Sequence, residues 1–301
     1  MGAGHIGSTV LDVVLGAHPN FESVGEIWKL HSGAWMGEST RDCACGSSPD
    51  RCVFWPQVRR AWAAETGGDD VAGYVRLQGL YEGNRYAWPR LLRNRRWPTP
   101  RFDEYIRKTE ALYRAIQQTG GKPVIVDSSL SPRRAFVLSM VPGVDLFLIH
   151  LVRDGRGVIW SLKNPAKHAL VKTFKPASAL RTTKYWITAN LQSAFSFSRV
   201  RPERRQRIRY EDFATDPRAT LARIGAWLGE DLSTLVTSDH ALQQPVPVRH
   251  TVRGNRVRML KEIKIRADFA WREHLPGRDR ALFWLLAGWL AARYGYSKHP
   301  G

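Results

Sequence analysis

The chain has 301 residues, 43% of them hydrophobic, which is enough to bury the core of one large α/β domain. Its 46 Lys and Arg against 27 Asp and Glu leave a formal charge of +19, which draws anions: nucleotides, nucleic acids, sulfated glycans and acidic lipids all fit, with nucleic acid the less expected for want of an arginine-rich tail or RNA-binding aromatic motif. No apolar run reaches the roughly 20 residues that cross a bilayer, the N-terminus lacks a basic-then-apolar secretory pattern, and three cysteines make an odd count that argues against a disulfide framework, so a cytoplasmic location is expected, with peripheral membrane contact left open.

Residues 2–9, Gly-Ala-Gly-His-Ile-Gly-Ser-Thr, read as a glycine-rich loop opening a helix that carries Val10, Leu11, Val13, Val14 and Leu15 and is stopped by Gly16 and Pro19. Such a loop turns backbone N–H groups and a helix N-terminus toward an anion. Gly2, Gly7 and Thr9 meet the P-loop spacing of nucleoside-triphosphate enzymes, with Ser8 where the lysine belongs, which demotes a P-loop nucleotide kinase to the second reading. Residues 40–102, rich in Trp and Arg (Arg93, Arg95, Arg96, Trp97), read as an irregular insertion after the first helix. Cys43, Cys45 and Cys52 lie inside it. They lack the paired C-x-x-C spacing, and a metal site would need a fourth ligand, so structural cysteines and no metal are expected.

Helical spacing returns at 104–119, and apolar β runs at 123–126 and 145–152 bracket a helical pattern at 132–140. That order predicts a P-loop-type parallel sheet flanked by helices, in which ligands gather at the carboxyl ends of the strands, where Asp127, Ser128, Arg153 and Asp154 stand. A helix from 157, a β run at 207–210 and a helix at 217–228 continue the alternation. The apolar run 281–292 reads as a buried terminal helix. In the segment Leu151-Val-Arg-Asp-Gly-Arg-Gly-Val-Ile-Trp-Ser161, Arg153 ends a buried strand and Ser161 follows just over two helical turns later, so both can reach one anion.

The glycine loop, the Leu-Val-Arg-Asp…Ser segment, Arg209-Tyr-Glu-Asp-Phe213 and His250-Thr-Val-Arg-Gly-Asn-Arg-Val-Arg258 together resemble the PAPS-dependent (3′-phosphoadenosine-5′-phosphosulfate) sulfotransferase superfamily, in particular its bacterial branch related to tyrosylprotein sulfotransferases. They span nearly the whole chain, which implies a single domain over 1–301. The cysteine segment and Val53-Phe-Trp55 are similar to an insertion of that branch. The resemblance implies that Gly4, His5, Ile6, Gly7, Ser8 and Thr9 hold the 5′-phosphosulfate and that Arg153 and Ser161 hold the 3′-phosphate. It further implies that Tyr210 lies near the adenine, and that a closing loop at Arg253 and Gly254, within a C-terminal segment 250–296, covers the nucleotide. Arg256 and Arg258 are expected in solvent.

Glu26 aligns with the segment that carries the family's catalytic glutamate and is expected to be the general base, with His31, His150 and His168 as competitors and His150 read first as a core histidine. His5 stands where the family carries lysine or arginine, and an imidazole replaces that charge only when protonated, or more weakly as a neutral donor. Leu130 stands where many relatives carry lysine. The family has a strand leading into the phosphate loop, and this chain starts at Met1 without one, so either a late-assigned start or a sheet short of a strand is expected. The activity implied is transfer of a sulfuryl group from PAPS, leaving PAP, to a small-molecule, glycan, lipid or peptide acceptor. A catalytically silent polyanion-binding protein of the same fold is the reading from another class.

Overall fold

The computed structural model describes residues 1–37, 43–83, 86–164, 175–244, 247, 249–260 and 262–299; His168 lies outside them. Gly7, at φ 83°, turns the glycine loop into α1 (Ser8–Leu15), and Gly16 ends it. A strand the sequence reading lacks follows at once: β1 (Phe21–Gly25), buried along its length. Its five residues hold only two large apolar side chains, and its polar ones are satisfied by tertiary partners. Ser23 Oγ donates to Asp12 of α1 at 2.8 Å, and Glu22 pairs with Lys122 at 3.6 Å.

The segment 40–102, expected to be irregular, is instead largely helical where it is described: α2 (Trp55–Thr66), α3 (Val71–Gln78), a π-helical turn Gly79–Gly83, and α4 (Ala87–Arg96). Its Trp and Arg content hid the period. In α2, Trp55, Val58 and Trp62 recur at three and four residues and are buried, while on α4 Arg93, Arg95 and Arg96 face water around buried Leu91 and Asn94. These helices share a core with α5 (Pro100–Gly120), a longer helix than the 104–119 pattern because Thr99 caps it and Pro100 opens it.

Next come β2 (Val124–Asp127), α6 (Pro132–Leu138), β3 (Leu148–Val152), α7 (Gly155–Lys163), α8 (Ala179–Phe197), β4 (Arg205–Arg209), α9 (Tyr210–Thr215) and α10 (Pro217–Leu228). Arg134 of α6 is buried against Glu82 at 3.3 Å and Tyr74 Oη at 3.1 Å, and Tyr105 Oη donates to the same carboxylate, which ties the insertion and α5 to the sheet-side helices. The expected parallel sheet is present in two halves. β1 pairs with β2, Phe21 opposite Val124, with a register slip between Ser23 and Gly25; β3 pairs with β4, Leu148 opposite Arg205 and Val152 opposite Arg209. Between the halves lies a cavity of about 790 Å³, bounded by β2 on one side and by Met1, Phe147 and Ile149 on the other. Met1 enters beside β3, its amino group donating to the Ile149 carbonyl at 2.9 Å and its carbonyl accepting from Leu151 N at 3.1 Å.

The chain closes with α11 (Trp271–His274) and α12 (Gly277–Arg293). The run 281–292 is not fully buried as expected. Phe283, Ala287 and Leu290 face the core beside Trp186 of α8, while Leu285 is 80% and Trp289 50% exposed. No described helix is long and apolar enough to cross a membrane.

Candidate active site

Two left-handed residues within three positions, His5 at φ 64° and Gly7 at φ 83°, curl the glycine loop. A Cβ on Gly7 would stand 2.7 Å from the Tyr210 ring, so only glycine fits there. α1 starts with no side-chain cap, which leaves its first N–H groups and the positive end of its dipole facing the loop. Gly4 N donates to Tyr185 Oη at 2.7 Å. Ile6 packs its side chain in the core and can offer an anion only its backbone, whereas Ser8 and Thr9 are half-buried.

Arg153 follows the last residue of β3 and Ser161 lies on α7, and the fold brings both to His5. Arg153 donates to the His5 carbonyl at 2.9 Å, and Ser161 Oγ lies 3.2 Å from His5 Nδ1. The Arg153 guanidinium also stacks 4.4 Å from the Tyr210 ring centre and pairs with the Asp268 carboxylate at 2.8 Å. Asp268 carries no sequence signal, standing alone in a loop without a motif. Tyr210 opens α9 at the end of β4; its hydroxyl donates to the Arg266 carbonyl at 3.4 Å and accepts from Asp268 N at 3.3 Å, and burial raises its pKa above the phenol's ordinary value. Its ring is thus wedged between Gly7 and Arg153.

Glu26 comes directly after β1. Its N–H donates to the Val252 carbonyl at 3.0 Å, and Val252 N donates to Val24 O at 3.1 Å, so residue 252 adds to the β1 edge that β2 leaves open. Gly25, at φ 76°, permits this: a Cβ there would stand 2.3 Å from the Val252 oxygen. The next residues carry the closing loop back over α1. Arg253 lays its guanidinium on Gly33 of the π-helical turn Leu30–Trp35, Gly254 packs on Thr9, and Asn255 N donates to Thr9 Oγ1 at 3.1 Å. Buried Arg249 fastens the loop from below, donating to Val13 O and Arg258 O at 3.1 Å each. Arg258, expected in solvent, is buried because its guanidinium caps the carbonyls of Gly254 and Asn255; Arg256 is exposed. Asp127 and Ser129 sit on the other flank, Ser129 Oγ accepting from Trp28 N at 3.2 Å and Tyr113 Oη donating to Asp127 at 2.5 Å. Leu130 is partly buried against the core.

Two competing bases are core residues. His31 is enclosed by Trp35, Trp62 and Tyr74, and burial holds its pKa well below the ordinary imidazole value. His150, on β3, lies 3.2 Å from Asn190 Oδ1, and burial lowers its pKa to about 3. Neither is placed to take a proton at the loop.

Beside the closing loop, Cys43, Cys45, Cys52 and His250 converge, with their sulfur and imidazole nitrogen atoms all within 4.8 Å of one another. His250 was read only as part of the closing motif. No spacing in the sequence links it to cysteines 198 positions or more away.

The sequence model of the sulfotransferase family matches residues 80–234, about half of the chain. Two solved structures share the fold. The sulfotransferase domain from the curacin biosynthetic pathway has 16% identity and a TM-score of 0.51, covering 96% of this chain and 95% of its own. The sulfotransferase domain from the Synechococcus PCC 7002 olefin synthase has 19% identity and a TM-score of 0.51, covering 99% and 94%. No curated protein matches the chain.

Proposed function

Since the chain belongs to the sulfotransferase family, we propose that it moves a sulfuryl group from PAPS to an acceptor hydroxyl or amine by in-line displacement. The observation that carries this reading is the convergence of four segments, the glycine loop among them. The Gly4–Thr9 backbone, Arg153 with Ser161, the start of the closing loop, and Glu26 are joined by hydrogen bonds through His5, Thr9 and Val252.

The cradle suits the donor's anionic groups. The uncapped start of α1 and the left-handed loop offer N–H groups to the 5′-phosphosulfate, and Arg153 offers the 3′-phosphate a guanidinium that now pairs with Asp268. In the transfer, the acceptor oxygen or nitrogen bonds to sulfur as the bond from sulfur to the bridging phosphate oxygen breaks. Glu26 takes the acceptor's proton, and the loop N–H groups with His5 receive the charge that appears on the phosphate. Ser8 in place of the P-loop lysine weighs against a nucleoside triphosphate.

The test is mass spectrometry of acceptor libraries, containing phenols, glycans, lipids and peptides, incubated with the protein and PAPS. A product heavier by one sulfuryl group, formed with PAPS and not with ATP and magnesium, is the expected result. Phosphoryl transfer from ATP would replace this reading with the kinase one.

A further inference from the structure

We propose that Cys43, Cys45, Cys52 and His250 form a structural zinc site that clips the insertion to the closing loop. The four residues meet from two segments nearly two hundred positions apart, and their spacing is that of a metal tetrahedron. Cys45 and Cys52 sulfurs are 3.6 Å apart, Cys52 and Cys43 3.7 Å, and His250 Nδ1 lies 3.1 Å from Cys52 and 3.8 Å from Cys43. Zinc–sulfur bonds of about 2.3 Å in tetrahedral geometry put ligand sulfurs about 3.8 Å apart, whereas a disulfide requires about 2.05 Å. All three cysteines are free. Three thiols and one imidazole nitrogen form a soft set that selects zinc over oxygen-seeking ions, and four protein ligands leave no open position for catalysis.

The surroundings hold the ligands in place. Phe54 N donates to Cys52 Sγ at 3.5 Å, the Phe54 ring stacks on His250 with planes 2° apart, and Trp55 Nε1 donates to the His250 carbonyl at 2.7 Å. A tight turn in which Cys43 N donates to Ser47 O and Gly46 N to Cys43 O, both at 2.9 Å, brings Cys45 round to the cluster. Ala44 N donates to Thr251 O at 3.1 Å, so the cysteine turn is laced directly to the segment that carries Val252 and Arg253. The metal fixes residue 250, and residue 252 is bonded to Glu26, so the clip fixes the closing loop over the glycine loop. The site itself stands independently of the sulfotransfer reading; only this last consequence rests on it.

The test uses the untagged full chain grown with zinc. Elemental analysis is expected to find one zinc ion per chain, and zinc-edge X-ray absorption three sulfur ligands at about 2.3 Å and one nitrogen at about 2.0 Å. Cobalt exchanged for zinc should show a thiolate charge-transfer band. Cys45→Ser, at the least buried of the three cysteines, should lose both signals, and Cys45→His should retain the metal with a weaker charge-transfer band, which separates ligation from failure to fold. Metal-free protein showing no cobalt band, a disulfide in the native chain, or Cys45→Ser that keeps full metal content would overturn the site. If zinc is present but its removal leaves PAP affinity unchanged, the site holds and its link to the closing loop fails.

Discussion

The backbone of Glu26 is anchored beside the closing loop. The hydrogen bond from its N–H to Val252 O keeps the residue in place whatever its side chain carries. Glu26→Gln should therefore leave PAP affinity unchanged while turnover falls about a hundredfold to ten-thousandfold, the usual contribution of a general base. Calorimetric titration with PAP alongside single-turnover kinetics checks this, and unchanged turnover would assign the proton elsewhere. Arg153 poses the opposite case, since its guanidinium also braces His5 and Asp268. Arg153→Ala should weaken PAP more than adenosine 5′-phosphosulfate, which lacks the 3′-phosphate, and Ser161→Ala should do so more mildly. Equal losses for both ligands, measured by equilibrium binding, would make the pair purely structural. The glycine loop and the pairing of Arg153 with Ser161 were legible as candidates from local pattern, whereas Glu26, Tyr210, Arg253 and Gly254 became candidates only through the family resemblance. Asp268 was not legible, because a lone loop carboxylate acquires a meaning only when a guanidinium 2.8 Å away supplies it.

Among the elements, α1 and β1 are joined by a buried carboxylic acid. Asp12 is held by Ser23, and burial, outweighing Ser23 and Arg249, raises its pKa to about 7 from 3.8. A carboxyl group whose pKa is higher folded than unfolded binds its proton more tightly when folded. Its contribution is thus fully present below about pH 4, is lost as pH rises to about 7, and is flat above that. The shift corresponds to about 4 kcal/mol. Asp12→Asn should remove this decline, so urea denaturation between pH 4 and 8 should show wild type losing stability relative to the variant as pH rises; parallel curves would show that Asp12 stays ionised. β1 itself escaped the sequence reading because Glu22 and Ser23 are polar residues whose burial depends on partners in α1 and on Lys122. The insertion helices escaped it because their Trp- and Arg-rich sequence yields its period only once the buried face is known.

For the whole molecule, a formal charge of +19 favours the multiply charged nucleotide proposed as donor. PAP, bound only by the folded state, should raise stability by about 2.7 kcal/mol at a hundredfold excess over its dissociation constant, and ATP with magnesium by less. Raising salt beyond about 0.1 M, where the screening length falls below about 10 Å, should weaken PAP binding through the long-range field. Thermal melts and titrations at two salt concentrations measure both effects, and a larger shift with ATP than with PAP would reverse the choice of donor.

What the sequence by itself determined is whatever rests on local chemistry: a glycine loop before a helix, apolar runs that argue for parallel strands, and motifs that resemble the sulfotransferase family. Tertiary structure alone decided that Val252 lines the edge of β1 beside Glu26, that Arg258 is interior, that the sheet stands in two halves, and that His250 meets three cysteines in one cluster. The physical reason is range. Helix caps, turns and periodic burial act over a few residues and leave their pattern in the chain, whereas a hydrogen bond or ligand shared across about two hundred residues constrains each partner only to be polar and leaves the pairing to the fold.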